Sequence, residues 1–332
     1  MTSYYRPGGL KTAASTEPPS IAPLRVLSRI DPASYRPDEG LIDAVNVALA
    51  LGLPLLVTGE PGTGKTHLSY SVAWELGLGA PLVFETKSTS EARDLFYTYD
   101  TVGRFHAAQT GGVAEPEKYI TYNALGLALL RAADRGALPI HLYRNIEIIG
   151  PQRSVVLIDE IDKAPRDFPN DILNEIEGMY FRIPELGNLT ISAPEDQRPV
   201  VILTSNSEKG LPDAFLRRCA FFHIPFPSEV KLEEIVLSRL AAIGLKRGGL
   251  LGDALSFFQL LRRPETELRK LPGTAELINW ITALVHYGAD PDLPLREQMS
   301  YGVRTLSTLA KLGDDQEHVF STYMVWVGMA SG

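Results

Sequence analysis

Eight residues, Gly59-Glu60-Pro61-Gly62-Thr63-Gly64-Lys65-Thr66, fit the pattern G-x-x-x-x-G-K-[ST], and their surroundings restrict what the chain can fold into. The apolar run 53–57 before them reads as a buried strand. A helical pattern follows, from Thr66 through Leu68, Val72 and Trp74 to Leu76. Strand, glycine-rich turn and helix start form the context in which this motif has a mechanism. Glycines let successive backbone N–H groups turn inward at phosphate oxygens, and the helix N-terminus adds favourable electrostatics. Lys65 is then placed to reach the β- and γ-phosphates of a nucleotide, and Thr66 to offer its hydroxyl to Mg²⁺.

A second segment points from nucleotide binding to hydrolysis. Residues 154–158 (Ser-Val-Val-Leu-Ile) are short, apolar and β-branched, as a central parallel strand buried on both faces should be. Asp159 and Glu160 follow at its carboxyl end, the edge at which open α/β sheets bind ligands. Asp159 suits a Mg²⁺ shell, since that ion takes hard oxygen ligands and keeps several waters. Glu160 suits the orientation and deprotonation of an attacking water. Phosphoryl transfer asks the protein mainly for positioning and charge stabilisation, so one carboxylate is enough. Alone, the pair reads as a solvated acidic turn; beside the phosphate loop it does not.

Residues 199–205 read as another buried strand, with Asn206 at its tip, where it could hydrogen-bond both a water and a γ-phosphate. Arg217 and Arg218 end the following helical segment, just before the strand-like 220–224. A basic pair there is a solvated face by default. In a ring-forming ATPase the same place presents an arginine to the neighbouring subunit's γ-phosphate.

Taken in order, the phosphate loop, Leu157-Ile158-Asp159-Glu160, Thr204-Ser205-Asn206 and Arg217-Arg218 resemble the AAA+ ATPases over residues 36–227. More narrowly, residues 159–165 (Asp-Glu-Ile-Asp-Lys-Ala-Pro), the hairpin-like 181–187 and the run 205–219 resemble MoxR-type members. The resemblance implies ATP and Mg²⁺ as cofactors and a parallel five-stranded sheet flanked by helices, followed by a small helical lid. It makes residues 59–66 Walker A, Asp159 and Glu160 Walker B, Asn206 sensor 1, and Arg218 or Arg217 the arginine finger. It also implies a homo-oligomeric ring, expected as a hexamer, with active sites shared between subunits. The usual partner is a von Willebrand factor A domain protein, of the kind encoded beside such ATPases in bacterial conflict systems. One departure stands out. The family places an arginine at the start of a lid helix, yet residues 271–277 hold none; Arg269 and Lys270 are the nearest cations.

At 332 residues and 45% hydrophobic content, the chain can bury a sizeable core and suits two domains. The expected division is 25–227 for the nucleotide-binding domain and 228–332 for the lid, behind a poorly ordered 1–24 rich in Ser, Thr, Pro and Gly. A formal charge of −8 argues against a general polyanion-binding surface. The single Cys219 excludes an intrachain disulfide and fits a reducing cytosol. No apolar run reaches transmembrane length, so a cytoplasmic protein is expected. The six histidines are scattered without metal-ligand spacing.

Within the first domain a helix is expected around Leu41, Val45 and Leu49, a strand over 81–85, a helix over 122–133 and another over 168–178. A hairpin is expected over 181–191, and an insertion over 136–152. Residues 96–99 (Phe-Tyr-Thr-Tyr) could line a ring's channel or pack as core, and Gly103-Arg104-Phe105 is expected at a loop tip. From 228 the pattern is helical, with Trp280 in the core.

Two other functions compete. A restriction-type nucleic-acid motor similar to McrB would carry an Asn-Thr-Ala-Asp run near sensor 1, where this chain has Asn206-Ser207-Glu208-Lys209. The other is a nucleotide-gated scaffold that hydrolyses slowly, against which Glu160 argues.

Overall fold

A computed structural model describes residues 31–111, 115–134, 136, 138–143 and 152–328. The segment 1–24 lies outside these residues, as does most of the expected insertion 136–152. The chain divides into two compact units: Ile30–Glu60 with Gly64–Pro225, and Pro61–Thr63 with Phe226–Gly332.

The strands of the first unit are β1 (Leu55–Gly59), β2 (Leu82–Glu85), β3 (Tyr97–Tyr99), β4 (Ile120–Tyr122), β5 (Val155–Asp159), β6 (Tyr180–Ile183), β7 (Leu189–Ser192), β8 (Val200–Ser205) and β9 (Ala220–Ile224). Five of them form one sheet in the order β2-β5-β8-β1-β9, parallel throughout. A side-chain period of two sorts the central strands between two cores. Leu55 and Val57, Val155 and Leu157, and Ile202 face one side, where they pack with Leu41, Leu68 and Val72. Leu56, Val156 and Ile158, Val201 and Leu203 face the other, against Leu125, Leu129 and Phe168. Burial on both faces explains why these strands read as unbroken apolar runs.

The helices are α1 (Glu39–Leu51), α2 (Lys65–Glu75), α3 (Thr101–Gln109), α4 (Ala124–Ala132), α5 (Phe168–Asp171), α6 (Leu173–Gly178) and α7 (Asp213–Leu216). Helix α1 ends at Gly52, which takes the left-handed conformation (φ 64°) that terminates helices cheaply in glycine. The expected continuous helix over 168–178 is instead α5 and α6, meeting at the buried Ile172. Tyr122, expected to open a helix, belongs to β4, which pairs antiparallel with β3. Residues 103–105 lie within α3 rather than at a loop tip, and α3 buries none of its residues; Phe105 is 63% exposed. Phe96 and Tyr97 are core, as ordinary packing would have them. Phe96 stacks on Phe181 of the β6–β7 hairpin at 5.3 Å, and Tyr97 donates its hydroxyl to Glu185 at 2.8 Å.

The second unit is helical: α8 (Glu229–Arg239), α9 (Gly249–Leu261), α10 (Thr274–His286), α11 (Met299–Thr305) and α12 (Gly313–Gly328). Its core is aromatic. Phe257 meets Tyr323 edge-on at 5.0 Å, Trp280 at 5.5 Å and Trp326 at 5.3 Å. Trp280 is fully buried and satisfies its indole N–H on Thr305 Oγ1 at 3.0 Å. Gly302 lets Tyr323 approach, since a Cβ there would lie 1.8 Å from the phenol oxygen. The Arg269 guanidinium is paired with Asp314 at 2.7 Å, and the backbone N–H groups of Arg269 and Lys270 donate to the two carboxylate oxygens of Asp315.

Candidate active site

Three strand ends meet at the carboxyl edge of the sheet. β1 ends in Gly59, where the phosphate loop begins; β5 ends in Asp159; β8 ends in Ser205, one residue before Asn206. The loop needs its glycines. Gly62 and Gly64 have φ of 85° and 93°, a region costly for other residues. At the root of the loop, Thr58 Oγ1 and His223 Nδ1 lie 2.9 Å apart across the β1–β9 pair. Tyr35 packs against Gly64, with its ring 3.0 Å from where a Cβ would stand. Burial and the neighbouring Asp38 push the Tyr35 phenol well above its usual pKa.

Lys65 is only 7% exposed. Its ammonium donates to Gly59 O at 2.6 Å, Glu60 O at 3.1 Å and Asn206 Oδ1 at 3.2 Å. Burial lowers its pKa; the charges of Asp162, Asp159, Glu160 and Glu60 act the other way. A cation held by three neutral oxygens, rather than by a direct ion pair, is ready to exchange those contacts for phosphate oxygens.

Thr66, one residue on, donates its hydroxyl to Asp159, 3.1 and 3.2 Å from the two carboxylate oxygens. Thr204 completes the arrangement. Its fully buried hydroxyl donates to Asp159 Oδ1 and accepts the Glu160 backbone N–H at 2.8 Å. Glu160 itself sits at φ 55°, in the left-handed region that a residue with a side chain seldom enters. Strain of about 1–3 kcal/mol at such a position persists only where surroundings impose it, and the Thr204 bond is one such constraint. The turn lifts Glu160 off the strand axis, and its carboxylate pairs with Lys163. Asp162 accepts from the Asn206 backbone N–H at 3.2 Å and from Asn206 Nδ2 at 3.3 Å.

The structure therefore gathers Lys65, Thr66, Asp159, Glu160 and Asn206 into one cluster. Arg217 and Arg218 are not part of it: neither bonds to a member of the cluster among the described residues. Both are exposed at the end of α7, and Arg218 pairs with Glu177 of α6. Sequence reasoning missed Thr204, Asp162 and Lys163 as site residues. Thr204 left a faint signal, being the polar break in the aliphatic run Val200–Leu203.

Residues 55–227, more than half of the chain, match the family described as "ATPase family associated with various cellular activities (AAA)". The chain belongs to that family. Its fold is the AAA+ P-loop fold of that ATPase family. Among curated proteins it is similar to the Lon protease of Heliobacterium modesticaldum, 28% identical over 70% of this chain and 25% of that protein. The Lon protease of Mycolicibacterium smegmatis is 25% identical over 76% of this chain and 28% of its own length. The chain thus spans about a quarter of the curated relatives it matches. Among solved structures, a mutant of Thermotoga maritima RuvB aligns with a TM-score of 0.47 at 15% identity, covering 84% of this chain and 72% of that one. The FIGL-1 AAA domain in complex with ADP aligns at 0.44 and 17%, covering 88% of each.

The cluster also fits a metal ion. Thr66 and Asp159 bring a hydroxyl and a carboxylate together, both hard oxygen donors. Among the described residues no group of three or more His, Cys, Asp and Glu is gathered to hold a metal. A donor pair of this kind suits Mg²⁺, which keeps waters and takes phosphate oxygens beside one or two protein ligands. No helix among the described residues is long and apolar enough to cross a membrane.

Proposed function

We propose that this ATPase is a MoxR-like remodelling or assembly machine that works as a ring, with each active site completed by a neighbouring subunit. The observation that carries the reading is the division of the catalytic groups. Lys65, Thr66, Asp159, Glu160 and Asn206 converge at one sheet edge, while Arg217 and Arg218 stand exposed just past the end of α7 without joining them.

In this reading the phosphate loop binds the triphosphate of ATP, and Lys65 transfers its bonds from Gly59 and Glu60 carbonyls to the β- and γ-phosphates. Thr66 and Asp159 would hold Mg²⁺, which supplies positive charge against the phosphate oxygens when bound. Glu160 orients the attacking water and takes its proton, once its carboxylate exchanges Lys163 for that water. Asn206, beside Lys65, lies within reach of that water. An arginine of the neighbour, Arg218 or Arg217, meets the charge that spreads over the transferring group.

The MoxR-type stretches 159–165, 181–187 and 205–219 support a von Willebrand factor A domain protein as partner, a hexameric ring and a place in bacterial conflict systems. The experiment is to measure ATP turnover with and without Mg²⁺, and mass by light scattering with and without ATP. Capture from the native host with Glu160→Gln then tests the partner. Mg²⁺-dependent turnover with ATP-driven assembly is the expected result. Full turnover by a strict monomer overturns the ring, and capture without a von Willebrand factor A domain protein overturns the partner.

A further inference from the structure

Asn206 is held from two sides. On one, the Lys65 ammonium donates to its Oδ1 at 3.2 Å. On the other, Asp162 Oδ2 accepts from its Nδ2 at 3.3 Å, while Asp162 Oδ1 accepts its backbone N–H at 3.2 Å. An ammonium can only donate and a carboxylate can only accept. The amide between them therefore has a single orientation in which both contacts are hydrogen bonds. Rotating it by half a turn would set an NH₂ against the ammonium and an oxygen against the carboxylate. The usual ambiguity of a side-chain amide is removed here by the chemistry of its two neighbours.

The geometry points to Asp162 as a positioning residue that fixes the Asn206 amide with its acceptor oxygen toward the phosphate loop and its donor turned away. The inference rests on the ATPase site proposed above and adds the chemical role of its sensor. With Nδ2 committed to Asp162, the end of Asn206 that faces Lys65 is an acceptor. An acceptor opposes a phosphate oxygen but suits the proton of a water molecule. When Lys65 turns to phosphate, Oδ1 is released to take a hydrogen bond from the attacking water, and Glu160 removes the other proton. Asn206 then aligns the nucleophile instead of gripping the γ-phosphate.

Asp162 lies in the single turn Ile161–Lys163 that follows Glu160, so one short segment after β5 carries both the base and the group that aims the sensor. Its two bonds to Asn206 join the ends of adjacent parallel strands, β5 and β8. Asp162 is exposed and makes no contact that holds the sheet core, so its removal should act on alignment more than on folding.

The test is a double-mutant cycle on Asp162→Ala and Asn206→Ala, read by steady-state ATP turnover and by binding of a fluorescent ATP analogue. Asp162→Ala should lower kcat on the order of tenfold while leaving KM and analogue affinity within about twofold, as befits an interaction made in the transition state. The double variant should be little slower than Asn206→Ala alone, because the hydrogen bonds of Asp162 into the site run through Asn206. Asp162→Asn, whose own Oδ1 can still accept from Asn206 Nδ2, should recover part of the loss. Additive losses, wild-type kcat in Asp162→Ala, or weakened analogue binding with kcat intact would each overturn the proposal. If Asp162→Ala does not fold, the same cycle run with Asp162→Leu, which also lacks an acceptor, decides by the same criterion. Lys65→Ala and Glu160→Gln run alongside separate the two levels. If they retain turnover, the site itself is wrong; if they lose it while the cycle is additive, only the role of Asp162 falls.

Discussion

Arg218 Nε lies 3.1 Å from Glu177 Oε2, so the second arginine of the pair is tied to α6 of its own chain. Arg217, beside it, makes no ion pair among the described residues. The two partners are 43% and 63% exposed, and such surface pairs are worth only about 0–1 kcal/mol. The tie therefore orders Arg218 without committing it. A neighbour's phosphate could displace Glu177 at small cost.

This relationship makes the arginine prediction specific. Arg218→Ala and Arg217→Ala should each bind ATP nearly normally, and the true finger should lose on the order of 10³-fold in hydrolysis. Mixing that variant with Lys65→Ala should restore some activity, since a mixed ring contains interfaces with one intact finger and one intact loop. Glu177→Gln should leave the unfolding temperature almost unchanged. Normal turnover in both arginine variants would sink the shared site.

Within one subunit, Lys65→Ala and Glu160→Gln should fail in different ways. The first removes the only ammonium in the loop and should abolish nucleotide binding in calorimetry. The second keeps the side-chain shape but loses the basic oxygen and weakens the Lys163 pair. It should bind ATP and slow hydrolysis by roughly 10²-fold or more. Unchanged affinity in Lys65→Ala, or unchanged turnover in Glu160→Gln, would remove that residue from the mechanism.

Thr204→Val tests how Asp159 and Glu160 are held. Valine keeps the shape of threonine and its fit to a buried strand, but loses both bonds of the hydroxyl. The Glu160 N–H is then left without its acceptor, which costs about 1–3 kcal/mol when buried. We expect a lower denaturant midpoint, a fall in kcat and a higher Mg²⁺ requirement, because Asp159 loses a restraint while Thr66 remains. A loss of stability with unchanged Mg²⁺ dependence would confine Thr204 to a structural role.

What the sequence revealed follows from local chemistry. The phosphate loop, Asp159-Glu160 and Asn206 were legible because each follows a run such as 154–158, whose burial on both faces leaves an unbroken apolar signal. The hairpin of β6 and β7 was legible from its turn, Gly187 and Asn188, both at positive φ. Thr204 and Asp162 were not assigned roles, because those roles arise where neighbouring strands set their ends side by side. Nothing in Asp159-Glu160-Ile161-Asp162 says that the fourth residue reaches Asn206, 44 positions away. The short strands β3 and β4 were missed for a related reason. Three residues each are too few to show alternation, and their aromatic side chains suit helix cores equally well.

The last prediction concerns alkaline pH. Burial pushes the Cys219 thiol from 9.0 up to about 12. Burial, with a smaller contribution from Tyr143, pushes the Tyr122 phenol from 10.0 up to about 12. Both groups are neutral in the fold and ionise earlier in the unfolded chain. Between pH 9 and 12 the unfolded state therefore binds fewer protons than the native one, and stability falls as pH rises. Below about pH 8 neither group contributes appreciable slope. Urea midpoints should hold steady from pH 6 to about 8 as far as these groups act, then decline. Cys219→Ser should flatten the early part of that decline, since the thiol ionises first in the unfolded chain. The same burial should keep the native thiol almost unreactive toward a disulfide reagent at pH 8, where thiolate is the attacking species. Denaturant should release rapid reaction of one thiol per chain, the number the sequence holds. Fast labelling of the folded protein would show that Cys219 is open to solvent and that no such alkaline slope should be assigned to it.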